Sequence, residues 1–132
     1  MEMRKILFIC VENAGRSQMA EAFFRKHTNN KLPVSSAGTK PILSVNPVVV
    51  EVMNEIGIDV KDNIPRSLTN EMLNDSIVVN MGCMDKESCP TLFVNDVLDW
   101  GIPDPKGKSI DEVRKIRDQI ELKVIDLIRN LE

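Results

Sequence analysis

An apolar run, Ile6-Leu7-Phe8-Ile9, leads directly into Cys10, a five-residue loop and Arg16-Ser17, after which apolar side chains recur at helical spacing. No other stretch restricts the fold so tightly. Four consecutive apolar residues with no helical period describe a strand covered on both faces, as in a parallel sheet. Met19, Ala20, Phe23, Phe24 and His27 then fall on one side of a helix, which the spacing predicts to run for roughly three turns.

In a Cys-x5-Arg loop at such a junction, the backbone N–H groups of Val11, Glu12, Asn13, Ala14 and Gly15 can converge on one point. The positive end of the helix dipole and the Arg16 guanidinium join them there. A tetrahedral oxyanion suits that point. The same field stabilises negative charge on sulfur, so Cys10 is read as a thiolate nucleophile and Ser17 as a hydrogen-bond donor toward it. The pattern alone is common, and an inert buried cysteine before a strand-helix turn would also produce it. Its place at a strand-to-helix junction, Gly15 for close backbone approach, and Ser17 favour the anion cradle.

Further along, Pro33 to Gly38 predicts a second, weaker strand ending at a glycine turn. Asn46-Pro47 is a helix start, an N-cap side chain followed by a residue whose missing N–H costs nothing at the first helical position. Val49, Val52, Met53 and Ile56 give that helix one apolar face, and Gly57 stops it. A helical turn is predicted from Thr69 to Leu73, then strands at Ile77 to Val79 and Leu92 to Val94. Ser109 and Glu112 have capping-box spacing, and Val113, Ile116, Ile120, Val124, Leu127 and Leu131 line one face of a long last helix. The expected fold class is therefore α/β: a four-stranded parallel sheet with helices on both faces, in a single domain over residues 1–132. Sites in such sheets lie beyond the carboxyl ends of the strands, where Cys10, Cys83 and Asp104 could meet.

A net charge of −3 gives no overall basic footprint and argues against a nucleic-acid or membrane-surface role. No leader pattern or membrane-spanning stretch is evident, so a soluble, cytoplasmic monomer is expected. Three cysteines are too few for a disulfide scaffold, and a single histidine leaves a zinc site short of ligands. No metal or cofactor is expected.

Attack by a thiolate on an oxyanion requires an acid to protonate the departing oxygen. Asp104 is the candidate, although Asp104-Pro105 also makes an ordinary turn. Cys83 and Cys89 flank five residues. Continuous helix would separate them by ~9 Å along the axis, beyond the ~7 Å Cα limit for a disulfide, so bonding them requires an unwound segment. Oxidation is thus expected to rearrange residues 82–90. Trp100 is read as a packing anchor and His27 as a helix-end residue.

Taken together, Cys10 to Glu21, Ser36-Ala37-Gly38, Asn46-Pro47, Gly57 to Val60, Cys83 with Cys89-Pro90, and Trp100 to Pro105 closely resemble the thioredoxin-coupled arsenate reductases. Those share the low-molecular-weight protein tyrosine phosphatase fold. The resemblance covers nearly the whole chain. It implies that Arg16 and the loop amides of residues 11–15 hold arsenate, with phosphate or sulfate as analogues, while Cys10 attacks arsenic and Asp104 protonates the leaving oxygen. It further implies that Cys83 attacks Cys10 and releases arsenite, that Cys89 attacks Cys83, and that thioredoxin or a similar dithiol protein reduces the resulting Cys83–Cys89 disulfide.

The chain departs from the better-known bacterial members in two respects. It has one residue fewer between its second and third cysteines, and it carries Glu12 and Gly15 where those tend to have a glycine and a further cysteine. Glu12 is expected to weaken anion binding unless it points outward. A tyrosine phosphatase is the competing enzyme, needing only Cys10, Arg16 and Asp104. Such phosphatases usually carry tyrosines after the Asp-Pro pair, and this chain has no tyrosine. A non-catalytic oxyanion or redox sensor is the alternative of a different class, and the sequence shows no partner-binding surface for it.

Overall fold

The structure, a computed structural model, describes residues 5–74, 76–82 and 97–131. Four parallel strands, β1 (Lys5–Cys10), β2 (Val34–Gly38), β3 (Ser76–Asn80) and β4 (Val97–Asp99), lie in the order β2-β1-β3-β4. Strand β1 is central, with Phe8 opposite Ser36 on one side and Val79 on the other. After β1 the chain crosses to one side to make β2 and then returns to the other side for β3. The carboxyl end of β1, where Cys10 sits, is therefore the switch point at which ligands of open α/β sheets bind.

Side chains of β1 alternate between two cores, as a pleated strand requires. Ile6, Phe8 and Cys10 face a large cluster with α1 (Arg16–Thr28), α2 (Pro47–Asn54) and α4 (Ile110–Leu131). Leu7 and Ile9 face a smaller one, closed by Leu68 and the short helix α3 (Asn70–Leu73). The sheet is thus covered on both faces, but unequally.

The helix signals correspond to specific hydrogen bonds. Asn46 accepts the Val48 N–H at 2.9 Å, Thr69 accepts from Met72 at 3.3 Å, and Ser109 accepts from Glu112 at 3.3 Å. Gly57, at φ +80, closes α2: its N–H bonds Asn54 O while the Ile58 N–H reaches Met53 O, the paired bonds of a Schellman stop. Leu131 departs from expectation, being 38% exposed. Apolar spacing persists to the end of α4, but the core it would face ends at Leu127. His27, in the last turn of α1 as expected, keeps its ring 6.4 Å from that of Phe23 and bonds Glu121 of α4 at 2.8 Å. Trp100 packs as expected, its ring 5.7 Å from that of Phe8. The strand expected at Leu92 to Val94, together with Cys83, Cys89 and the predicted rearrangement between them, lies outside the described residues; the fourth described strand is Val97–Asp99. No helix among the described residues is long and apolar enough to cross a membrane.

Candidate active site

The loop between β1 and α1 owes its shape to its carbonyls. Those of Cys10, Val11, Glu12 and Ala14 accept the N–H groups of Thr39, Lys40, Ile42 and Asn46, at 3.2, 2.8, 3.3 and 2.8 Å. In a planar trans peptide the N–H points opposite to the C=O. With the carbonyls turned out to residues 39–46, the following N–H groups, those of Val11, Glu12, Asn13 and Gly15, turn to the other side. One of them reports where that side is: Asn13 N–H lies 3.2 Å from Cys10 Sγ. Helix α1 then begins with no side-chain cap and no acidic residue in its first turn, which leaves its opening N–H groups available to an anion.

This arrangement needs close backbone approach. A Cβ on Gly38 would stand 2.6 Å from Val11 O and 2.9 Å from Asn13 N, so the end of β2 can pass the loop only as glycine. Gly15 plays the same part toward Pro105, whose Cγ lies 2.9 Å from where a Cβ would be.

Asn13 lies at the centre of the loop's support. It is fully buried, at φ 52, a left-handed conformation that asparagine tolerates better than most residues. The Arg66 backbone N–H can only donate, and it meets Asn13 Oδ1 at 2.9 Å, which fixes the orientation of the amide. Asn13 Nδ2 therefore donates to Ser17 Oγ at 2.7 Å and Ser36 Oγ at 3.0 Å. With Ser17 Oγ accepting there, its own proton is free for Cys10 Sγ, 2.8 Å away. The Asn13 N–H thus meets the sulfur, and the Ser17 hydroxyl is placed to donate to it when it is a thiolate. Asn13 was expected to offer its backbone N–H to the anion, and that N–H faces the sulfur; its side chain is turned into the fold.

Arg16 is 7% exposed. Its Nη1 donates to Ile102 O at 2.9 Å and Gly82 O at 3.4 Å, and Nη2 lies 3.9 Å from Asp104 Oδ2. Gly82 has φ +148, and a Cβ there would run into Arg16 Nη1. The guanidinium is therefore held by backbone carbonyls. Asp104 Oδ1 accepts the Lys106 N–H at 3.0 Å, which is the turn that Asp-Pro suggested, and Oδ2 is left facing Arg16. One small cleft is lined by Cys10, Val11, Glu12, Ala14, Gly15 and Arg16 from the loop and by Asp104 from the opposite segment. Ser17 and Asn13 stand behind it. Glu12 is turned to the rim, where its Oε2 meets Lys106 Nζ at 3.1 Å.

Sequence reasoning missed Lys106, Gly38 and Gly82 as parts of this site, and Ser36 as a support of Asn13. Gly38 ends β2 and Gly82 follows β3, places where turns also put glycine, so their type alone gave no signal of what they pass. Chemically, the arrangement offers a sulfur nucleophile beneath a ring of N–H donors, a fixed cation, and a carboxyl oxygen across the opening.

Fold and loop together define a parallel α/β protein built around a Cys-x5-Arg oxyanion loop at the switch point of its sheet. The chain belongs to the low molecular weight phosphotyrosine protein phosphatase family, whose model matches residues 5–132. Among its relatives, the arsenate reductase of Brevibacillus brevis is 39% identical over 128 residues, covering 94% of each chain. Among solved structures, an arsenate reductase in its phosphate-binding state superposes with a TM-score of 0.85 at 30% identity, over 98% of this chain and all of the other. The thioredoxin-dependent arsenate reductase of Corynebacterium glutamicum gives 0.79 at 32% identity, covering 98% of this chain and 62% of that one.

Proposed function

We propose that this chain, acting as one cytoplasmic domain, reduces arsenate to arsenite and is reset by thioredoxin or a similar dithiol protein. The observation that carries the reading is the convergence on one cleft of Cys10, with the Asn13 N–H and the Ser17 hydroxyl at its sulfur, the Arg16 guanidinium and Asp104. The relatives named arsenate reductase support the choice of oxyanion.

In this scheme the loop N–H groups and Arg16 hold the arsenate oxygens while Cys10 thiolate attacks arsenic. The As–O bond opposite breaks, and its oxygen leaves as water with a proton from Asp104. Cys83 then attacks Cys10 Sγ. The new S–S bond forms as the S–As bond breaks, and the electron pair of that bond stays on arsenic, which leaves as arsenite. Cys89 attacks Cys83 and frees Cys10 thiolate, and thioredoxin takes up the Cys83–Cys89 disulfide. The described chain reaches Arg16 at Gly82, the residue preceding Cys83 in sequence.

The test is thioredoxin-coupled arsenate reduction by the unsubstituted protein and by Cys10→Ser, Cys83→Ser and Cys89→Ser. Each substitution is expected to abolish multiple turnover, and only Cys10→Ser to remove phosphatase activity as well. Normal turnover by the Cys83 and Cys89 variants would overturn the relay, and absence of arsenate reduction by the unsubstituted protein would leave a phosphatase as the better reading. That second reading has support in the family itself, and weak hydrolysis of phosphate esters is expected because phosphate and arsenate share shape and charge.

A further inference from the structure

A carboxylate in the rim of an anion site works against the site. Arsenate and phosphate at neutral pH are mixtures of monoanion and dianion, and Glu12 brings a further negative charge to the loop that would bind them. Its Oε2 lies 3.1 Å from Lys106 Nζ. Lys106 does not belong to the loop; it follows Asp104-Pro105 on the segment across the cleft, and both charged residues line that cleft. The same lysine's backbone N–H holds Asp104 Oδ1 at 3.0 Å.

We propose that Lys106 is the charge-balancing residue of the oxyanion site: by pairing with Glu12 across the mouth, it keeps that carboxylate from opposing an incoming dianion. The inference rests on reading the cleft as an oxyanion site and on no step of the cysteine relay. Lys106 acts through Glu12 and is a positioning residue. Its side chain is 69% exposed, so the pair contributes little to stability and its influence on the anion is open to screening by salt.

The experiment is calorimetric titration of the reduced protein with inorganic phosphate, comparing Lys106→Met, Lys106→Arg, Glu12→Gln and the double variant Glu12→Gln/Lys106→Met. At low salt, Lys106→Met should raise the Kd about three- to tenfold, the scale of one uncompensated charge near the ligand. Most of that loss should disappear at about 0.5 M salt, and Lys106→Arg should recover most of the affinity. In the Glu12→Gln background the lysine substitution should change Kd by less than about twofold, because the charge it balanced is gone. An unchanged Kd in Lys106→Met, or an equal loss in both backgrounds, would overturn the proposal. Absence of phosphate binding by the unsubstituted protein would overturn both the oxyanion reading and this inference. Phosphate binding and a coupled pair in a protein that cannot reduce arsenate would sink the relay alone.

Discussion

Asn13 joins the loop to the sheet: Ser17, Ser36, Gln18 and Arg66 all bond to it. Replacing it with alanine removes these partners at once and leaves buried polar groups unpaired, at about 1–3 kcal/mol for each such group. Asn13→Ala is expected to lower the melting temperature and to reduce kcat on a phosphate ester by about ten- to a hundredfold, through misplacement of Cys10 and the loop. Wild-type kcat in this variant would show that the network is dispensable. Gly38→Ala should be harsher, since its Cβ would stand 2.6 Å from a backbone oxygen that cannot rotate away. A loss of about 2 kcal/mol or more is expected in denaturant unfolding, together with loss of phosphate binding. At this scale the sequence identified the reacting residues through their types and order. It hid the supporting ones, because an asparagine facing an anion and one turned into the fold look identical in the chain.

Helices α2 and α4 are tied by charge as well as by their apolar faces. Glu55, just past α2, bonds Arg114 through both oxygens, at 2.6 and 3.1 Å, and Arg117 at 3.0 Å. Arg117 also donates to Val52 O at 2.8 Å. The hydrogen bonds from Arg114, the largest influence, hold the Glu55 carboxyl below its ordinary value of 4.5, while Arg114 itself is pushed up. A carboxyl with a depressed folded-state value adds stability above its unfolded value and loses it as pH falls through the folded one. Glu55→Gln should therefore be less stable than wild type near pH 7, with the gap narrowing as pH drops below 4.5. A gap independent of pH would contradict this role. The elements themselves were legible, since Asn46-Pro47, Gly57 and Ser109 are local signals that act through local hydrogen bonds. Leu131 was not, because apolar spacing reports a face and cannot report where the opposing core stops.

Across the whole molecule, the alternation of strands and helices is enough to imply a parallel sheet with a site at its carboxyl edge. The cover of the two faces is uneven: α1, α2 and α4 pack on one side, while the four-residue α3, which shares the β2–β3 connection with α2, serves the other. The order β2-β1-β3-β4 puts Cys10 at the switch point and lets Gly82 and Ile102 hold Arg16 from the neighbouring segments. The proposed relay then requires that the oxidising equivalent leave Cys10 by way of Cys83. Treating reduced Cys89→Ser protein with arsenate, without thioredoxin, and mapping its disulfides by mass spectrometry tests this directly. The relay predicts one arsenite released per chain and a trapped Cys10–Cys83 disulfide; arsenite formed without that bond, or no arsenite at all, would contradict it.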